Sequence, residues 1–257
     1  MSTATQALRQ LPRRRRSLTS SALPLAQQVA LVSGANRGLG LEVVRQLAAT
    51  GMTVLLGARE LALGEQAARR LRRAGADVVA VKLDVTAQTD IDAVVQCIEQ
   101  GYGRLDVLVN NAGAHYDVRD RPSSVAIDAV RAALDTNLLG AWRLSEAMLP
   151  LMQRHGYGRI VNVSSGCGAS TIGGDSCPAY RVSKAALNTY TRALAAELGG
   201  SGIMVNAVCP GWVATDMGGP GGRPVNEGAA GIVWAACLPE QIASTGGFFR
   251  DGQRIAW

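Results

Sequence analysis

Lysine is almost missing from this chain. Of its 26 basic residues only those at positions 82 and 184 are lysine, which leaves 26 − 2 = 24 arginines. Histidine occurs only at 115 and 155, so neither Cys167 nor Cys177 has a base close by in sequence, which argues against a thiol nucleophile. The five cysteines (97, 167, 177, 209 and 237) form no metal-ligand or paired spacing, which excludes a zinc site or a disulfide framework and fits a reducing cytoplasm. No run of about 20 apolar residues exists, which excludes a membrane-spanning helix. Aromatic residues make up 4%, and none flanks the basic run Arg13–Arg16 to offer a stacking platform for nucleic acid.

That run carries much of the net charge of +6; without its four arginines the remainder is +2. It sits in a Ser/Thr/Gln-rich leader, residues 1–26, whose composition predicts disorder. The stretch after the arginines lacks the apolar core of an export signal. A disordered basic tail, an unused upstream start codon and a weak anion-binding arm all remain open readings of it.

From residue 27 the chain is long and apolar enough for one large domain, with 47% hydrophobic residues and 18% charged. Short Val/Leu/Ile runs alternate with longer Ala/Leu/Arg segments of helical period. The pattern predicts strands near 29–33, 53–57, 78–83, 105–110, 158–164, 202–208 and 245–249. Helices are expected over 38–50, 60–74, 87–101, 123–153, 177–199 and 226–237. Such alternation implies right-handed βαβ crossovers, hence an α/β fold: a Rossmann-type, doubly wound parallel sheet of about seven strands with helices on both faces. The Gly/Pro-rich segment 210–228 reads as a mobile loop with room for one short helix, beyond the carboxyl end of a strand where such sheets bind ligands.

After the first strand comes SGANRGLG, with glycines at 34, 38 and 40 between a strand and a helix. Turn, close approach to a pyrophosphate and tight helix packing would each need one of them, and the helix N-terminus would offer NH groups to phosphate. At the end of the second strand the sequence is LLGARE. Ala58 stands where a carboxylate would select the ribose hydroxyls, Arg59 follows it, and Arg37 lies in the glycine turn, a pattern that favours NADP(H). Asp84 closes the third strand and can accept from the adenine amine. Asn110, in NNAG, either walls the nucleotide or braces neighbouring strands.

Tyr180 and Lys184 stand four apart on a predicted helix and so share a face. A phenol with a reference pKa of about 10 needs such a cation to exchange protons near neutrality. Survival of a lysine at 184 in so arginine-biased a chain suggests a role that guanidinium cannot fill, although Lys82 survives too. Ser164 and Ser165 end another strand, and Asn137 is an amide inside a long helix, costly unless partnered; its side chain or a local carbonyl could hold a water.

Taken together, SGANRGLG, NNAG, Asn137, the VSS strand end, YRVSK and CPGWVATDM resemble the short-chain dehydrogenase/reductase family over residues 28–257, and more closely its carbonyl-reductase-like branch. The resemblance implies a tetrad of Asn137, Ser165, Tyr180 and Lys184, in which Tyr180 protonates the nascent alkoxide, Ser165 polarises the carbonyl, Lys184 lowers the tyrosine pKa and holds the ribose, and Asn137 supports a relay water. It places cofactor along Gly34, Asn36, Arg37, Gly38, Leu39, Gly40, Arg59, Asp84, Val85, Asn110, Ala112, Gly113, Tyr180, Lys184, Pro210, Gly211, Val213 and Thr215. Substrate is expected against Ser165, Cys167, Cys177, Tyr180, Trp212 and Met217, with specificity in 113–121, 166–179 and 211–224. Ser33 replaces the family's usual threonine, and the Ser165 to Tyr180 interval is about two residues longer than common. No long insertion marks the chain as a monomeric type, so a homodimer or homotetramer through helices 123–153 and 177–199 is expected.

The expected activity is NADPH-dependent reduction of a carbonyl, or of an imine, on a small or medium apolar molecule, with no metal, nucleic acid or membrane partner. The alternative is a non-catalytic dinucleotide-binding regulator or scaffold of the same fold.

Overall fold

A computed structural model describes residues 23–257 except 115, 116, 118, 172 and 243. The basic run, His115, most of the leader and parts of the segments 113–121 and 166–179 therefore lie outside the described residues. The domain starts slightly before residue 27: Leu25–Gln27 form a 3-10 turn, and Leu25 packs against the core.

Eight strands form one sheet: β1 (Val29–Val32), β2 (Thr53–Ala58), β3 (Val78–Lys82), β4 (Val107–Asn110), β5 (Gly158–Val163), β6 (Ile203–Val208), β7 (Phe248–Arg250) and β8 (Gln253–Arg254). Their order is β3-β2-β1-β4-β5-β6-β7-β8. The first seven pair in parallel, as the βα alternation predicts, and β8 folds back antiparallel on β7. Asp251 and Gly252, at φ 53° and 74°, make the tight reversal between those two strands.

Helices α1 (Gly38–Ala49), α2 (Leu61–Arg73) and α7 (Val225–Ala236) cover one face, and α3 (Gln88–Gly101), α5 (Gly140–Gln153) and α6 (Pro178–Glu197) cover the other. Within β1 the alternation of side chains feeds both cores: Leu31 joins the α3/α5/α6 side and Val32 the α1/α2/α7 side. Burial on both faces is why the strands read as continuous apolar runs.

The long helix expected over 123–153 is instead two, α4 (Ile127–Leu134) and α5, joined by a π-helical turn at Asp135–Leu139. Gly140 explains part of the local geometry, since a Cβ there would meet Val85 Cγ2 at 2.6 Å. The segment 210–228 carries no helix before α7 begins at Val225. Bridges pairing Val213 with Arg223 and Thr215 with Gly219 hold it, with Trp212 Nε1 donating to Gly218 O at 2.7 Å. Chain order reverses between β1 and β4, so the loops after them diverge and leave a crevice at the carboxyl edge of the sheet.

Candidate active site

A cavity of about 970 Å³ opens in that crevice. Its floor begins at the end of β1. Ser33 is buried; its hydroxyl donates to Val109 O and accepts from the amides of Asn111 and Ala112 at 3.1 and 3.0 Å. The serine thus ties the glycine turn to the NNAG turn without help from a threonine methyl. Asn111 Nδ2 completes the tie by donating to Ser33 O and Gly34 O.

Gly34 and Gly38 have φ of 62° and 54°, the left-handed region. At Gly40 the need is space: a Cβ would stand 2.6 Å from Gly34 O and 2.9 Å from Ala35 Cα. The turn is therefore closed against its own helix, and its residues line the cavity at the N-terminus of α1, the kind of place that receives a pyrophosphate. Arg37, Arg59 and Glu60 line the end of the cavity beyond β2. Asp84 is partly engaged, accepting from Thr86 N and Oγ1 at 2.9 and 2.8 Å.

At the other end lie Ser165, Tyr180 and Lys184. Lys184 is 4% exposed, and its Nζ donates to Val163 O at 2.8 Å and lies 5.6 Å from the centroid of the Tyr180 ring. Burial pulls its ammonium down to about pKa 8. The chain's other lysine has an ordinary surface role, since Lys82 pairs with Asp90 at 3.0 Å. Ser165 caps a 3-10 turn at Gly166–Gly168 by accepting from Cys167 N at 3.2 Å. Ser164 also lines the cavity, but its hydroxyl donates to Asn188 Oδ1 at 2.6 Å from a buried position.

Asn137 falls in the π turn and is 1% exposed. Both of its amide hydrogens are used: Nδ2 donates to Ala114 O at 3.0 Å and to Ser183 Oγ at 2.9 Å, while Oδ1 accepts from Ala114 N at 2.8 Å. It does not line the cavity.

Among the residues expected to meet cofactor, Gly34, Asn36, Arg37, Gly38, Leu39, Gly40, Arg59, Asp84, Val85, Ala112, Gly113, Tyr180, Lys184, Pro210, Gly211, Val213 and Thr215 all line this one cavity. Asn110 does not. It still belongs to β4, points into the core and donates to Ser145 Oγ and Asn162 Oδ1 at 3.0 and 2.8 Å, so it braces strands as its second reading held. Asn111, one residue on and free of the sheet, takes the wall position.

Of the residues expected against substrate, Cys167, Trp212 and Met217 line the cavity, the last two as exposed apolar surface on its rim. Cys177 does not. It is 3% exposed at the start of α6 and is not among the cavity's lining residues, and burial raises its thiol pKa. Arg250, Asp135 and Asp216 are lining residues that the sequence did not single out.

A nucleotide crevice of this topology defines a Rossmann-type dinucleotide fold. The chain is a member of the short-chain dehydrogenase family, whose profile matches residues 28–223. The short-chain reductase protein NovJ of Streptomyces niveus is 37% identical, with 85% of each chain covered. The ketoacyl reductase HetN of Nostoc is 34% identical over 74% of this chain, which covers 65% of that protein. A variant of the actinorhodin polyketide ketoreductase, solved with NADPH, superposes with a TM-score of 0.80 at 31% identity, covering 89% of this chain and 97% of that one. The protein is thus an oxidoreductase of that family, which uses a nicotinamide dinucleotide. Among the described residues no helix is long and apolar enough to cross a membrane, and no group of three or more metal-ligating side chains occurs.

Proposed function

We propose that this chain is an NADPH-dependent reductase of a small or medium apolar carbonyl compound, or of the corresponding imine, acting in the cytoplasm. The observation that carries the reading is the buried Lys184 ammonium, held by Val163 O and set 5.6 Å from the Tyr180 ring, in the same cavity as Ser165 and the glycine turn. Ketoacyl reductases among the relatives and a related structure with NADPH support it.

The glycine turn and cavity fit a dinucleotide, which when bound supplies the hydride. The chain's own residues do the rest. Ser165 Oγ donates to the substrate oxygen and polarises it. Tyr180 gives up its phenolic proton to that oxygen as negative charge develops there, a step worth roughly 10²–10⁴ in rate. Lys184 stabilises the phenolate left behind and holds the ribose. Both Asn137 amide hydrogens are engaged and the side chain is buried behind the cavity, so the relay water is assigned to a main-chain carbonyl of the π turn, where the wider ladder departs from i→i+4 pairing.

Arg59 and Arg37 are the residues assigned to the 2′-phosphate. Ala58, 1% exposed at the end of β2, leaves no carboxylate there for the ribose hydroxyls. Arg37 pairs with Asp216 at 2.7 Å, and this exposed pair must open for Arg37 to serve. Trp212, Met217 and Cys167 form the apolar substrate wall. The assembly is assigned as a homodimer or homotetramer. Ile127, Leu139, Trp142 and Val182 leave apolar surface exposed on the α4, π-turn, α5 and α6 side, where Trp142 stacks on Tyr190 at 4.4 Å.

The test is oxidation of NADPH, with NADH in parallel, against ketones, quinones, aldehydes and cyclic imines. NADPH-preferring turnover of one class supports the reading and names the substrate chemistry. Tight NADPH binding with no turnover on any class would favour a non-catalytic binding protein.

A further inference from the structure

Helix α6, which carries Tyr180, is capped from far away. The residue before it, Cys177, has φ 56° and ψ 48°, and its side chain makes no cap. A local N-cap needs extended backbone to aim its side chain at the second and third amides of the helix, and left-handed backbone does not do so. Both amides are instead taken by one carboxylate from the loop after β4: Asp117 Oδ2 accepts from Ala179 N at 2.9 Å and Oδ1 from Tyr180 N at 3.1 Å.

The same loop is fastened to the same turn a second time. Asn137 grips both backbone groups of Ala114 and donates to Ser183 Oγ, which in turn donates to Tyr180 O at 2.8 Å. The main chain of Tyr180 is therefore held at both ends, its NH by Asp117 and its CO through Ser183. An exposed Arg121–Asp175 ion pair joins the loop to the segment leading into α6.

We propose that Asp117 is a positioning residue for Tyr180. By accepting from two successive amides it fixes the rotation of the first turn of α6, and with it the line along which the phenol points into the cavity. Because Asp117 belongs to the segment expected to wall the substrate, it also couples that wall to the proton donor. The inference rests on Tyr180 being the proton donor, as argued under the proposed function. It extends that reading to a residue that does not touch the reacting atoms.

The experiment compares Asp117→Ala, Asp117→Asn and Tyr180→Phe in the full chain. The substrate is the first ketone, quinone, aldehyde or cyclic imine that the wild type reduces. Asp117 is half-buried on a loop, so its truncation spares the core. Misplacement of a reacting group by about 1 Å can cost on the order of 10²-fold, so Asp117→Ala is expected to lose about 10- to 100-fold in kcat with NADPH affinity within about twofold. Asp117→Asn keeps one acceptor oxygen and turns an NH2 toward the other amide, so it is expected to recover only part of that loss. Independently of any substrate, hydrogen exchange of the amides at 179 and 180 should quicken in Asp117→Ala, and in Asp117→Asn protection should return at no more than one of the two. A wild-type kcat in Asp117→Ala overturns the inference, and so does unchanged exchange at those amides or a loss confined to NADPH affinity. Loss of turnover in Tyr180→Phe beside a normal Asp117→Ala overturns the positioning role alone. Retained turnover in Tyr180→Phe overturns the reading beneath it.

Discussion

Lys184 donates to Val163 O at 2.8 Å from a side chain that is 4% exposed, and its ammonium is held at about pKa 8 by burial. Unfolded, the same group would titrate near 10.5. Between those values the unfolded chain holds the extra proton, so this group makes the fold more stable as pH rises from about 8 to 10.5. At about 1.4 kcal/mol per pH unit the gain is up to about 3 kcal/mol. Denaturant unfolding of the cofactor-free protein at pH 7 and pH 10 should show wild type gaining on Lys184→Met over that interval. A difference between the two that does not change with pH would contradict the burial argument.

Arg59 lines the cavity just after Ala58, where the 2′-phosphate is proposed to sit. Arg59→Asp should weaken NADPH by about 10- to 100-fold, the size of a lost charge-assisted contact plus repulsion, with NADH much less affected. Cofactor titration followed by fluorescence checks this. Equal loss for both cofactors would place the phosphate contact elsewhere.

Asp216 occupies Arg37 at 2.7 Å, with both side chains largely exposed. Exposed pairs contribute little, so Asp216→Asn should tighten NADPH relative to NADH by no more than about fivefold, and less at high salt. Weaker NADPH binding in this variant would mean that the loop's carboxylate helps to hold the cofactor instead.

Trp142 is 47% exposed while stacked on Tyr190. Placing a charge there opposes burial against a second copy, so Trp142→Glu should convert the assembly to smaller species in light scattering coupled to size exclusion. An unchanged mass would contradict the proposed interface on this face.

The strands were legible because both faces of the sheet are buried, which leaves no polar alternation to confuse. The two-residue β8 was not read: Gln253 and Arg254 are exposed and polar, and only the Asp251-Gly252 pair in the sequence hinted at the reversal. The π turn was invisible, since no local propensity distinguishes it from α-helix and it answers to packing. In the site, motif spacing placed the residues that line the cavity, but whether a residue is the last of a strand or the first beyond it decides its direction, and this separated Asn110 from Asn111. Cys177 was misplaced because it is buried at the start of α6, away from the cavity wall. Asp117 could not be read at all, since its cap spans 62 residues.

Turnover of NADPH by wild type and Tyr180→Phe, with the NADPH dissociation constant measured on both, tests the central claim most directly. The account predicts unchanged cofactor affinity and a kcat lower by roughly 10²-fold or more in the variant, because only the proton donor has been removed. Equal turnover in the two proteins would contradict it.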